Sequence, residues 1–246
     1  MNIGILQAGH VPDELAPLHG SYAGLFERFL GQQGLQSQAF AVVDGVFPIS
    51  ATQADGWLIT GSRHGAYEDH PMIAPLEAFI RESYAQTVPL VGICFGHQIM
   101  AQALGGRVVQ HPDGWCIGLQ SYQEMDPERD PEDEQGQQEA PGLALNAFHQ
   151  DQVVALPPGA KILATSPSCR IAALSYGKRA LSYQAHPEFS TQYLRDLIHA
   201  RAALLPDAQR EAALKQLAQA PPEAPDAELI GERIATFFRA RQMKAH

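Results

Sequence analysis

Two short stretches of the chain hold the residue types that acyl transfer requires. Gly92-Ile93-Cys94-Phe95-Gly96-His97-Gln98 sets a thiol between two glycines, and Gln184-Ala185-His186-Pro187-Glu188 sets an imidazole two residues before a carboxylate. A thiol needs a neighbouring base to become the reactive thiolate, and that base needs a third group to hold its tautomer. Cys94, His186 and Glu188 would complete such a set. Taken singly, each has a plainer explanation: a cysteine as a small buried hydrophobe, a histidine satisfied in the core, a glutamate capping a helix after Pro187. Taken together, they point to a cysteine-dependent enzyme.

The flanking residues say how the thiol would be held. Val88-Pro89-Leu90-Val91-Gly92-Ile93 is a short apolar run suited to a buried parallel strand, and Ile99, Met100, Ala103 and Leu104 follow at helical spacing before Gly105-Gly106. Cys94 is therefore expected on a sharp strand-to-helix turn. Gly92 and Gly96 would let strand and helix approach without a side-chain clash. The helix that follows aims its first N–H groups at the thiol, favouring a thiolate and later an oxyanion.

The wider chain repeats this strand-then-helix rhythm. Apolar runs at Ile3 to Leu6, Ala39 to Val43 and Trp57 to Thr60 alternate with helical patterns near Tyr22 to Leu30 and at Ile73, Leu76, Ile80 and Tyr84. Such alternation predicts an α/β fold of three layers, a mainly parallel sheet flanked by helices. Closely spaced runs at Ile117 to Tyr122, Val153 to Leu156, Ile162 to Thr165, Ile171 to Ser175 and Ala180 to Gln184 predict a small antiparallel portion joined to it. Residues 1–190 are read as one domain. Residues 191–246 are read as a C-terminal helical extension packed on it, because Tyr193, Leu194, Leu197 and Ile198, and later Ile230, Ile234 and Phe238, form amphipathic stripes. Glu124 to Glu139, rich in acids, Gln and Pro, is expected as a solvated loop, with a lid or a docking strip for a basic partner as the alternative.

Composition narrows the setting. The chain has 246 residues, 45% of them hydrophobic and 18% charged, which suits a globular protein with a substantial core. A formal charge of −10, without clustered Lys and Arg, argues against a nucleic-acid surface. Neither a secretory signal nor a membrane-spanning run is read, so the cytoplasm is the expected location. Three cysteines without C-x-x-C spacing fit a reducing compartment, with Cys116 and Cys169 passive. The ten histidines are scattered, and neither a metal nor another cofactor is expected.

On the Gly92 to Gln98 and His186 to Glu188 motifs, the chain resembles the class I glutamine amidotransferases over about residues 1–190, with their flavodoxin-like fold. The likeness is strongest to the glutaminase portion of GMP synthase and its free-standing relatives. It implies Cys94 as nucleophile, His186 as general base and acid, and Glu188 as the group that orients the imidazole. Ile59-Thr60-Gly61-Ser62 matches the family turn that donates an N–H to the oxyanion, so the resemblance implies Gly61 and Phe95 as the oxyanion hole. It further implies that Gln98, Phe148, His149 and Asp151 line the amino-acid end of the pocket, with capping of a turn an equal alternative for Asp151.

One departure bears on the substrate. Where GMP synthase usually writes Gly-Gly-Pro, this chain has Gly61-Ser62-Arg63-His64-Gly65-Ala66-Tyr67-Glu68, and with His149-Gln150-Asp151 this resembles the γ-glutamyl peptidases of the same superfamily. No phosphate-binding glycine loop or synthetase domain is read in the chain. The implied activity is hydrolysis of the γ-glutamyl amide of glutamine or a γ-glutamyl compound through a Cys94 thioester. Three destinations stay open: a γ-glutamyl peptidase acting alone, an amidotransferase subunit passing ammonia to a synthetase, or a non-catalytic regulatory or binding subunit. A synthetase and a further copy of the chain are the protein partners to be considered.

Overall fold

The apolar runs lie side by side in a computed structural model that describes residues 1–126 and 142–242. The first half of the chain contributes β1 (Asn2–Leu6), α1 (Ala16–His19), α2 (Tyr22–Gln32), β2 (Gln36–Phe40), β3 (Gly56–Ile59), α3 (Ile73–Ala85), β4 (Leu90–Ile93) and α4 (Phe95–Ala103). The middle contributes β5 (Arg107–Gln110), β6 (Cys116–Glu124), β7 (Leu143–His149), β8 (Asp151–Ala155), β9 (Lys161–Ser166), β10 (Cys169–Ser175) and β11 (Ala180–Tyr183). Three helices follow: α5 (Thr191–Ala200), α6 (Asp207–Leu217) and α7 (Ala227–Gln242).

Among the described residues the main sheet has nine strands in the order β2-β1-β3-β4-β11-β10-β9-β6-β7. Its first five strands pair in parallel and its remaining pairings are antiparallel. Strands β3 and β4 are buried along their whole length, as helices on both faces of a parallel sheet require. Leu58, Val91 and Ile93 face a core shared with Phe26 and Leu30 of α2 and Ile230, Ile234 and Phe238 of α7. Trp57, Ile59 and Leu90 face the opposite core, with Leu76 and Ile80 of α3 and Ile99 and Met100 of α4. This alternation along each strand builds the three layers. A third apolar cluster joins α5 and α6 to Tyr22, Leu25, Ile117 and Phe189.

Three features differ from the sequence reading. The strand expected at Ala39 to Val43 lies earlier, at Gln36–Phe40, and Val42–Asp44 is a turn of 3-10 helix. β2 is an edge strand with mostly exposed side chains, so its apolar residues mark its end and not its centre. The antiparallel part also includes β5 and β7, which mix polar and apolar side chains without a clean alternation, and β5 pairs with β8 in a separate two-stranded sheet. Glu124 closes β6 and forms a bidentate ion pair with Arg233 of α7. The rest of the expected acidic loop lies, from residue 127 on, outside the described residues. No helix among the described residues is long and apolar enough to cross a membrane.

Candidate active site

Three neighbouring parallel strands end at one place. In register, Ile59 of β3 and Ser182 of β11 flank Gly92 of β4, so Gly61, Cys94 and His186 emerge together just beyond the carboxyl edge of the sheet. Ligand sites of open α/β sheets form at that edge.

Cys94 occupies the turn between β4 and α4 with φ 54° and ψ −103°, a left-handed conformation uncommon outside glycine. Its N–H donates to the carbonyl of Tyr183 at 2.8 Å, and its own carbonyl accepts from the N–H of Gln98 at 3.1 Å, so the sheet and the helix hold the strained residue from both sides. The two glycines are there for space. A β-carbon on Gly92 would come within 2.4 Å of the Gly96 carbonyl oxygen, and one on Gly96 within 2.3 Å of the Ile59 carbonyl oxygen. Phe95 is the first residue of α4, so its N–H has no acceptor within the helix.

His186 and Glu188 are both buried, and Nδ1 of the imidazole lies 2.7 Å from Glu188 Oε1. That leaves Nε2 for Cys94. Burial disfavours the imidazolium, but the Glu188 carboxylate and the Cys94 sulfur outweigh it and raise His186 to about 10. The ring stacks on Phe189 with centroids 3.8 Å apart and planes 5° from parallel. Phe189 in turn packs against Tyr193 of α5 and Tyr22 of α2. The backbone of His186 is pinned as well: its N–H donates to the Asn146 carbonyl at 2.8 Å, while Asn146 Nδ2 donates to the Phe189 carbonyl at 2.8 Å. Ser190, and not Glu188, caps the following helix, accepting from the N–H of Tyr193.

Gly61 follows β3 and lies against this pair. A β-carbon there would stand 3.1 Å from His186 Cε1 and 3.9 Å from Cys94 Cβ. The Thr60 hydroxyl fixes the turn, donating to the Gly61 carbonyl at 2.9 Å and accepting from the Ala8 N–H at 3.0 Å.

The residues expected at the amino-acid end line one cavity of about 400 Å³ with Cys94, His186 and Gly61. Gln98 is buried, and its amide nitrogen donates to the Asp151 carbonyl at 2.8 Å and to Gln184 Oε1 at 3.2 Å. His149 is buried with Nδ1 3.3 Å from the Asp151 carbonyl and Nε2 without a partner among the described residues. Burial, with the His186 charge, lowers it to about 3, so it is neutral. The Asp151 carboxylate accepts the Tyr67 hydroxyl at 3.0 Å, tying β8 to the turn that contains Gly61. Phe148 is half-buried and packs against Trp115.

His97, beside the thiol in sequence, has a different task. It is buried between Ser182 Oγ at 2.8 Å and the Ile171 carbonyl at 3.1 Å, and burial lowers it to about 4. It binds α4 to β10 and β11 as a neutral ring. Burial pushes the thiols of Cys116 and Cys169 up, the latter to about 12, which removes them from thiolate chemistry. Among the described residues no group of three or more His, Cys, Asp or Glu is placed to hold a metal ion.

Sequence reasoning missed Phe189, Asn146, Tyr67, Trp115 and Arg201 as parts of the site. Phe189 stood next to the His-Pro-Glu motif and offered a signal by adjacency. Asn146 offered none, because its role depends on β7 lying beside the 184–189 turn.

Comparison with known proteins gives the family and the fold. The family model described as glutamine amidotransferase class-I matches residues 23–200. Gamma-glutamyl peptidase 5 of Arabidopsis thaliana is 34% identical over 182 residues, covering 73% of this chain and 72% of the relative. A glutamine-hydrolyzing GMP synthase of Cupriavidus pinatubonensis is 35% identical over 136 residues, covering 54% of this chain but 24% of the relative. In fold, a glutamine amidotransferase from Thermotoga maritima superposes with a TM-score of 0.71 at 19% identity over 97% of both chains. The family-model match over residues 23–200, with a relative 34% identical over nearly three quarters of both chains, shows that the chain belongs to the class I glutamine amidotransferase family.

Proposed function

We propose that the protein hydrolyses the γ-glutamyl amide bond of a small molecule through a Cys94 thioester. The observation that carries this reading is the convergence of Gly61, Cys94 and His186 at the ends of three adjacent strands, with Glu188 2.7 Å behind the imidazole. In the first step the Cys94 thiolate forms a bond to the γ-carbonyl carbon, and the carbonyl electron pair moves to oxygen. The N–H groups of Gly61 and Phe95 stabilise that oxyanion, an effect of about 3–4 kcal/mol per donor in related sites. The carbon–nitrogen bond then breaks, and the imidazolium of His186 supplies the proton that the leaving amine takes up.

Water completes the cycle. His186, now neutral, accepts a proton from water as its oxygen bonds to the thioester carbonyl, and the carbon–sulfur bond breaks to return glutamate and the thiolate. Glu188 keeps Nδ1 protonated throughout, and the stack on Phe189 keeps the ring plane aimed at sulfur. Gln98, Phe148, His149 and Asp151 form the wall for the amino-acid end. In this reading residues 1–190 carry the chemistry, and the extension from 191 to 246 supports it through Tyr193 behind Phe189.

A stand-alone γ-glutamyl hydrolase is the favoured form of this activity, because the relatives named as peptidases match along more of the chain than the GMP synthase does. The GMP synthase likeness supports a second form, in which ammonia passes to a synthetase partner. Glutamate release from glutamine and from γ-glutamyl peptides by the purified protein tests both. Cys94→Ala is expected to lower turnover by a factor of about 10³ or more while leaving the melting temperature nearly unchanged. Turnover in that variant equal to the wild type would overturn the assignment.

A further inference from the structure

The cavity at Cys94 borders a second one of about 490 Å³, and the two share Arg63, His64 and Arg201 in their linings. Cys94, Gln98, His149 and His186 line only the first. The arginines thus line the part of the first cavity that borders the second. Neither guanidinium has a carboxylate or hydrogen-bond partner among the described residues, in a chain whose formal charge is −10. His64, by contrast, is engaged by Glu68 at 3.0 Å.

Two guanidiniums without a partner among the described residues, lining both cavities, suit an anion, and a planar fork of N–H donors suits a carboxylate in particular. Resting on the hydrolase reading above, we propose that Arg63 and Arg201 recognise a carboxylate on the leaving amine. The substrate class is then a γ-glutamyl amino acid or short γ-glutamyl peptide with a free carboxyl end. Glutamine releases ammonia, which needs neither guanidinium nor a cavity of this size; clefts of about 300–1,000 Å³ hold ligands well beyond ammonia. The second cavity also carries Asp13, Glu14 and Asp44, the last held by His10 at 3.0 Å. With these acids in the second cavity and the guanidiniums on the lining it shares with the first, a carboxylate close to the scissile bond is favoured over a long acidic tail. Tyr67, Trp115 and Leu204 line the first cavity as well and give the leaving residue's side chain an apolar surface.

The test compares glutamate release from γ-glutamyl-leucine, γ-glutamyl-leucine amide and glutamine by the full-length protein, with Cys94→Ala as blank. Wild type is expected to prefer the free acid over the amide by about tenfold or more in kcat/KM, carried mainly by KM. In Arg63→Gln/Arg201→Gln, checked for an unchanged melting temperature, that ratio should fall to near unity. Single Arg→Lys replacements should restore part of it. Equal turnover of acid and amide by the wild type would overturn the proposal while leaving the hydrolase reading intact. The same holds if the double variant loses glutamine turnover as much as acid turnover, since the arginines would then read the donor's own carboxylate. Absence of Cys94-dependent release from every compound would overturn the hydrolase reading, and this proposal with it.

Discussion

The two halves of the main sheet serve the site in different ways. The parallel half delivers the groups proposed to react: Gly61, Cys94 and His186 each follow the end of one of three adjacent strands, and their positions are set by sheet register. The walls and the clamp come from the antiparallel half, where β7 carries His149 and Asn146, and from the separate two-stranded sheet, where Asp151 opens β8. In the first half, backbone meets backbone so closely that a single β-carbon would collide. In the second, side chains do the joining, as when Asn146 bridges to Phe189 and Asp151 to Tyr67. Chemistry rests on close backbone packing, whereas the pocket rests on side-chain hydrogen bonds that can be altered one at a time.

The largest effect should come from the group on which the parallel half depends electrostatically. Glu188→Gln is expected to lower kcat/KM by about 10³–10⁴-fold, as loss of the third member does in other triads. The sign of its pH effect follows from His186. That imidazole is held at about 10 against burial by the Glu188 and Cys94 charges, so the imidazolium persists through neutrality and is lost only as pH rises towards that value. Removing the carboxylate should move the alkaline limb of the kcat/KM profile to lower pH. A limb that stays in place would show that Glu188 is not what sustains the charge.

Next comes the close backbone packing itself. Gly96→Ala would push a β-carbon to 2.3 Å from the Ile59 carbonyl oxygen, and a stability loss of about 3 kcal/mol is expected by urea denaturation. A neutral result would mean that α4 can move away from β3, and that the elbow is not rigid. Asn146→Ala probes the antiparallel half. It leaves the Phe189 carbonyl without its donor, so about 2 kcal/mol should be lost, with kcat reduced because the imidazole's support loosens. Should stability fall while kcat holds, Asn146 serves the fold alone. The smallest effect is expected at the outer rim of that half: Glu124→Gln breaks the partly exposed pair with Arg233 and should cost about 1 kcal/mol or less, with activity unchanged.

Much of the parallel half was legible before any coordinates. Buried parallel strands read as unbroken apolar runs, so Ile3 to Leu6, Trp57 to Thr60 and Leu90 to Ile93 announced themselves. The glycines around Cys94 carried a steric meaning that the 2.4 and 2.3 Å approaches explain. The edge strand β2 was misplaced because exposure on both faces erases the apolar signal. β7 went unread because Ala144, Asn146 and Ala147 interrupt any alternation, although the strand is mostly buried.

By itself, then, the sequence determined the local conditions for chemistry: a thiol on a glycine-flanked turn, an imidazole with a carboxylate two residues on, and apolar periods that build a wrapped parallel sheet. These are short-range properties, decided by side-chain type and backbone sterics within a few residues. Only the tertiary structure decided that Phe189 stacks on His186, that Asn146 holds the turn, that Gln98 bonds inward to Asp151 and Gln184, and that Arg63 and Arg201 line the same two cavities. Each of those joins residues distant in the chain or fixes where a side chain points. Such contacts arise from strand order and layer packing, which no local pattern encodes.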